Sequence, residues 1–333
     1  MLSDKEKYLV SELSSCMDLI EQKKSDQVQK KIASIVEQYP EIVDERFQME
    51  VFLILKNMES KEALREFDFL RSISLMYRYL ESEYMEVGRS CRNNSEQNVA
   101  LPCADTIWWC WFQGYDNAPE IVKSCYQSLT KLDRQVVVLH DGNINEYIEL
   151  PEYIQDKYKS GAISKAHYAD LVRLELLTKL GGIWIDSTAL ITGTERIVPL
   201  LEQEDLFMFR AGNVSEFIIF DNWFMMSKKK SMLLETTKEM LFAYWQKEDR
   251  AKHYFFMHLF MTMACKLFPE EYGNIPMFSN EPCHVLQHEL FNKYTDKRWD
   301  QIKGMSDVHK LTYKADDSDP QGTFWKYIMD SDI

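Results

Sequence analysis

The chain has 333 residues, 45% of them hydrophobic, and a formal net charge of −14. That balance supports a sizeable core and excludes non-specific nucleic-acid binding, which needs a basic surface, while leaving room for a locally basic phosphate pocket. Seven cysteines without a Cys-x-x-Cys pair fit a reduced, cytosolic protein rather than a zinc site, and no apolar run reaches the ~20 residues that span a bilayer.

Residues 1–95 are rich in Glu, Lys, Leu, Ile and Met, hold one proline (Pro40) and one glycine (Gly88), and predict several amphipathic helices. Leu53, Leu55 and Met58, then Leu64, Phe67 and Leu70, are spaced to form packing stripes. Such a region is either a helical cap or a module for partner or membrane contact, and composition does not separate the two. The start, MLSDKEKYLV, lacks the apolar run of a signal peptide. RSCRNNSEQN, residues 89–98, is polar and reads as a linker, which places a second domain at 100–333.

That domain opens on TIWWCWFQG (106–114), a β-branched and aromatic run ending at a glycine, as a buried strand would. APEIVKSCYQSL follows as a helix with Pro119 in its first turn, and VVVLH (136–140) reads as a second strand. Strand, helix, strand is the start of a parallel α/β sheet. Residues 150–163 suggest a short helix and a glycine turn.

Residues 164–188, SKAHYADLVRLELLTKLGGIWIDST, carry the densest signal. Ala169, Val172, Leu176, Leu177 and Leu180 recur at helical spacing, Ser164 can cap the start, and Gly181-Gly182 can end the helix. Ile183-Trp184-Ile185 then suits a short buried strand that delivers Asp186 to its carboxyl end, where open α/β sheets bind ligands. Asp170 and Arg173 stand three apart on one helical face, beside Leu174 and Leu177. Alone they read as a helical ion pair of small worth; the glycine turn and strand-end Asp that follow shift that reading toward a site.

Farther along, LFMFR (206–210) and FIIF (217–220) read as strands, followed by Asp221-Asn222-Trp223-Phe224-Met225-Met226-Ser227, where a turn Asn222 beside a buried Trp223 is one reading and a ligand contact the other. Residues 230–245 and 254–268 predict helices, the second aromatic, Met-rich and suited to a core. Residues 276–283 form a loop with two prolines; DVHKLTYK (307–314) and an acidic, loop-like tail close the chain.

The combination Ala-Asp-Leu-x-Arg, then Leu-x-x-Leu-Gly-Gly-Ile-Trp-Ile-Asp, resembles the core of bacterial capsular polysaccharide synthesis glycosyltransferases, relatives of yeast mannosyltransferases and the glucosylating clostridial toxins. The resemblance covers residues 105–314, about two thirds of the chain. It implies an α/β fold of the GT-A, Rossmann-like type with a helical N-terminal region. It also implies transfer, with retention, of a sugar from a nucleotide donor, a UDP-hexose before GDP-mannose. The acceptor it implies is a lipid-linked oligosaccharide or glycan, hence a cytoplasmic protein with a surface facing the inner side of the membrane. By the same resemblance Trp111 stacks on the base, with Gln113 beside it. Asp170 and Arg173 orient the donor, Asn222 contacts donor sugar or acceptor, and His309 and Lys310 meet the diphosphate.

Such a transferase must stabilise the negative charge that develops on the leaving diphosphate, and Mn²⁺ or Mg²⁺ held by an Asp-x-Asp pair is the usual device. This chain has Asp186-Ser187-Thr188, a hydroxyl in place of the second carboxylate. The expectation is a cation held by Asp186 and His309; the alternative relies on Lys310 and other basic groups instead. A non-catalytic nucleotide-sugar-binding relative, a protein-glycosylating effector and, through Asp170 and Asp186 as a carboxylate pair, a hydrolase are the competing readings.

Overall fold

The computed structural model describes residues 61–91, 99–212, 216–314 and 320–331, together with positions 19, 27, 30, 31 and 34. The chain divides into two compact units, Met1–Leu75 and Met76–Ile333. In the first, the described residues are helical; helix α1, Lys61–Ser90, begins there. The packing positions expected at 53, 55 and 58, the side chains of 64, 67 and 70, and residues 92–98 of the expected linker lie outside the described residues, as do 315–319 of the acidic tail.

The second unit is mixed α/β around a five-stranded sheet. Strand β1 (Ile107–Cys110) is buried at every residue and pairs in parallel with β2 (Val136–Leu139), as a continuous apolar run buried on both faces should. Helix α2 (Glu120–Ser128) makes the crossover between them, with Pro119 just ahead of it at the cap rather than in its first turn. Helices α3 (Glu152–Lys159) and α4 (Lys165–Lys179) lead to β3 (Gly182–Ile185), also wholly buried and parallel to β1. A short β4 (Ala189–Ile191) and helix α5 (Ile197–Gln203) precede β5 (Leu206–Arg210), and then comes β6 (Phe220–Ser227). β6 pairs antiparallel with β3 and β5 antiparallel with β6, giving the order β2-β1-β3-β6-β5.

Helices α6 (Met232–Lys247) and α7 (Phe256–Leu267) follow, and α7 is as deeply buried as its aromatic, Met-rich sequence predicts. Helix α8 is Pro269–Gly273, α9 is Glu281–Glu289 and α10 is Asp296–Met305. Strand β7 (Val308–Lys310) pairs antiparallel with β4 in a separate two-stranded sheet, and α11 (Phe324–Asp330) closes the described chain.

The turn between α4 and β3 explains its two glycines. Gly181 and Gly182 both have positive φ, 76° and 103°. A Cβ on Gly182 would lie 2.6 Å from the Thr106 carbonyl oxygen and from the Trp108 indole nitrogen, so no side chain fits. The Trp108 Nε1–H donates to the Gly181 carbonyl at 2.7 Å, which satisfies a buried donor that unpaired would cost about 1–3 kcal/mol.

Two expectations are corrected. The strand expected at 217–220 runs instead over Phe220–Ser227, so Asp221 and Asn222 belong to the sheet and not to a turn after it. Before the strand, Phe217 and Ile219 are tied elsewhere: the Phe217 carbonyl accepts from Thr262 Oγ1, and the Ile219 carbonyl from the Ala211 N–H. The expected loop at 276–283 ends early, because α9 starts at Glu281 with Pro282 in its first turn, where a missing N–H costs nothing.

Candidate functional site

The ends of β1 and β3, the first turns of α4 and the start of β6 surround a cavity of about 460 Å³, completed by α7 and β7. Trp111, Gln113, Asp170, Arg173, Asp186, Asn222 and Lys310, chosen as candidates from sequence, all line it. Thr188 and His309 do not.

Asp186 stands where β3 ends, its N–H donating to the Trp223 carbonyl at 2.8 Å. Its Oδ1 accepts from Trp184 Nε1 at 2.8 Å and from Arg173 at 3.3 Å. Its Oδ2 accepts from Lys310 Nζ at 2.8 Å. Burial pushes the Asp186 carboxyl pKa up, but Lys310 and Arg173 outweigh burial and hold it below the ordinary value, so it stays ionised.

Arg173 is the hub. Its guanidinium lies 4.8 Å over the Trp184 ring, reaches Asp170 Oδ1 at 3.5 Å as well as Asp186, and donates to the Asn222 carbonyl. Asn222 returns through its side chain, donating to Asp170 Oδ1 at 2.8 Å. Asp170 is the deeper carboxyl: burial drives its pKa up to about 7, against the pull of Arg173 and with added repulsion from Asp186. Two carboxyls on one arginine are thereby set apart, one ionised and one near its titration point at neutral pH.

At the other side of the cavity Trp111 meets Tyr313 edge-to-face at 5.4 Å, and its Nε1 is buried with no hydrogen-bond partner among the described residues. Gln113 lies next to Gly114, whose φ is 85° and around which a Cβ would meet nothing within 4 Å, so the backbone is open to a ligand there.

Thr188 is buried behind Lys310, its Oγ1 accepting from Nζ at 2.7 Å. His309 is a correction. Neighbours on a strand face opposite sides, and while Lys310 faces the cavity, the fully buried His309 shares a hydrogen bond of 3.0 Å between Nε2 and Thr192 Oγ1. Burial pushes its pKa down to about 4. The pair expected to hold a cation, Asp186 and His309, is therefore not assembled. Among the described residues no group of three or more His, Cys, Asp or Glu stands together as a metal donor set. Both oxygens of Asp186 are already engaged, by Arg173 and Trp184 on one side and Lys310 on the other. The residues present do not fit a divalent cation at the expected place.

Several lining residues were not singled out from sequence. Asp221 gathers its donors on Oδ2: Trp223 Nε1 at 3.2 Å, the Asn280 side-chain amide, and His284 Nε2 at 3.8 Å. Burial raises its pKa, but His284, His258 and Asn280 prevail and keep it low. His258, on α7, is pushed down to about 4 by burial despite Asp221 and so is neutral. Lys165, exposed at the start of α4, and the half-exposed Tyr254 and Tyr313 form part of the wall. A charged residue interrupting an otherwise apolar strand was the available signal for Asp221; Lys165 had none. With Lys165, Arg173 and Lys310 the cavity holds three cations in a chain of net charge −14.

The site is a strand-end cavity of an α/β protein, lined by three carboxyls, three cations and an aromatic edge. Residues 56–328 match the family described as capsular polysaccharide synthesis protein, and the chain belongs to that family. The match ties it to capsular polysaccharide synthesis. No curated protein matches the chain. Among the described residues no helix is long and apolar enough to cross a membrane.

Proposed function

We propose that the chain is a GT-A-type glycosyltransferase that moves a hexosyl group from a nucleotide-sugar donor to a saccharide acceptor of a capsular repeat unit. The observation that carries this reading is the single hydrogen-bonded cluster of Asp170, Arg173, Asp186 and Asn222, lying in one cavity with Trp111. In this reading the base lies against Trp111 and Tyr313, the diphosphate faces Lys310 and Lys165, and Asp170 and Asn222 grip the sugar hydroxyls. Asp170 near its titration point can both donate to and accept from a hydroxyl. A UDP-hexose is the favoured donor.

The acceptor enters from the side of Asp221, whose ionised carboxylate orients its hydroxyl. The bond from the anomeric carbon to the diphosphate breaks as the bond to the acceptor oxygen forms on the same face. The acceptor proton passes to the departing phosphate, so the configuration is retained. A lipid-linked acceptor at the inner face of the membrane suits a protein of this family.

The test is the melting temperature of the full chain with UDP, GDP, CDP or dTDP, followed by transfer of labelled hexose to lipid-linked and to protein acceptors. A ligand held only by the folded state at 100 times its dissociation constant adds about 2.7 kcal/mol, a visible shift. The expected result is a UDP shift and transfer to the lipid-linked acceptor. Melting unchanged by all four nucleotides sinks the donor site, while labelled protein would make the chain an effector.

A further inference from the structure

We infer that the ammonium group of Lys310 stands in the place of the divalent cation, and that the chain binds the diphosphate of its donor without a metal. This rests on the donor-site reading above and says how that site handles charge.

Lys310 Nζ bridges Asp186 Oδ2 at 2.8 Å and Thr188 Oγ1 at 2.7 Å, the first and third residues of Asp-Ser-Thr. Those are the two side chains between which an Asp-x-Asp pair would clamp its cation. The charges also balance. A second carboxylate would give two negative charges, fit for a divalent ion; threonine leaves one, which Lys310 and Arg173 already neutralise. A threonine at 188 and a lysine bridging it to Asp186 are therefore consistent with each other.

The lysine is held in position by the fold. Lys310 stands opposite Ala189 in the β4–β7 ladder, and the N–H of Leu311 donates to the Thr188 carbonyl at 2.8 Å. The strand that carries the cation is thus stitched to the segment that carries its two ligands. An ammonium group has three N–H donors, and two are used here. The side chain lines the cavity and keeps 18% of its surface exposed, so the third donor is free to meet a phosphate oxygen. As the diphosphate leaves, its growing charge meets a fixed N–H donor in a partly dry site, the arrangement that stabilises such charge most. Arg173, shared between Asp170 and Asp186, keeps the carboxylates from repelling the anion.

The test is calorimetric binding of UDP, GDP and inorganic pyrophosphate to the full chain, in EDTA and again with Mn²⁺. The expected result is binding in EDTA with an affinity within about twofold of that in Mn²⁺, weakened about 30-fold by Lys310→Met and largely kept by Lys310→Arg. Binding that needs Mn²⁺ overturns the lysine assignment and leaves the donor site standing. Failure of all three probes in both buffers overturns the donor site and the assignment with it. The wild-type EDTA arm decides even where Lys310→Met does not fold. A second measurement follows Mn²⁺ alone by electron paramagnetic resonance. The wild type is expected to leave the ion free, and stoichiometric Mn²⁺ lost on Asp186→Asn would overturn the assignment. The double variant Thr188→Asp, Lys310→Ala rebuilds the dicarboxylate and is expected to make UDP binding require Mn²⁺.

Discussion

The two halves of helix α4 carry the same kinds of charge to different ends. Toward its C-terminus Glu175, 3% exposed, pairs with Lys179 and with Lys238 of α6 at 3.4 Å. Lys238 is buried too, and also reaches Glu235 at 2.8 Å and Glu239 at 3.5 Å. Three carboxylates close on one ammonium between packed helices, and Glu175 and Lys238 border none of the cavity. Toward the N-terminus Asp170 and Arg173 are buried just as deeply, yet both line the cavity. Burial and ion pairing do not mark a site by themselves; a charged group becomes functional where one side of its partner shell is left to a ligand.

The sharpest break is Arg173→Lys. The guanidinium stacks on Trp184 and forks to Asp170, Asp186 and the Asn222 carbonyl, which a point-charge ammonium cannot reproduce. Transfer is expected to fall about 10³-fold. Stability should fall as well, since two buried carboxyls lose their common partner. Steady-state turnover beside urea unfolding checks both, and a variant of near wild-type turnover would remove Arg173 from the site.

Asp170 sharpens the contrast through pH. Its folded pKa near 7 lies above the ordinary unfolded value, so between about pH 4 and 7 the unfolded chain gives up a proton that the folded chain keeps. The folded state then binds more protons, and stability falls as pH rises through that window, by about 4 kcal/mol in total. Asp170→Asn removes the titration. The variant should be the more stable protein above pH 7 and the poorer transferase, whereas an ordinary structural ion pair would lose stability on the same change. Urea midpoints from pH 4 to 8 for both proteins decide it.

Lys238→Met breaks the closed cluster instead. Glu175 is left buried against Lys179 alone, at a cost of about 3 kcal/mol and a fall in melting temperature of about 4–6 °C. UDP affinity should not change. A variant that melts normally but loses nucleotide would erase the distinction between the two halves of the helix.

Much of this was legible in the chain. β1 and β3 are short apolar runs because both their faces are covered, and the paired glycines announce a turn that no side chain can enter. Asp170, Arg173 and Asp186 could be placed near one another because helix, turn and strand are local. What the sequence could not supply is contact at long separation and strand phase. Lys310 meets Asp186 across 124 residues, a pairing set by the β4–β7 ladder. The adjacent His309 is turned away by the period of two, and a slip of one residue would have exchanged their roles. Asp221 was hidden because its strand starts later than the apolar FIIF run suggests, and its partners Asn280 and His284 come from the entry to α9 and from α9 itself.

The smallest expected effect concerns Trp111, and it asks whether the aromatic edge belongs to the core or to the ligand. Tryptophans are more often core, and Trp108 and Trp109 are, each 1% exposed. Trp111 differs in facing the cavity, with an edge contact to Tyr313, itself nearly half exposed. If its face receives the base, Trp111→Ala should weaken UDP by about 1–3 kcal/mol, the worth of one base on one aromatic ring. Inorganic pyrophosphate has no base, so its affinity should not move, and Trp111→Phe should recover most of the UDP loss. A purely structural tryptophan predicts another pattern: a lower melting temperature and equal losses for both ligands. The ratio of the two affinities therefore reads the ring's role independently of any damage to the fold. It also separates the base end of the cavity from the lysine end, because Lys310→Met should weaken UDP and pyrophosphate alike.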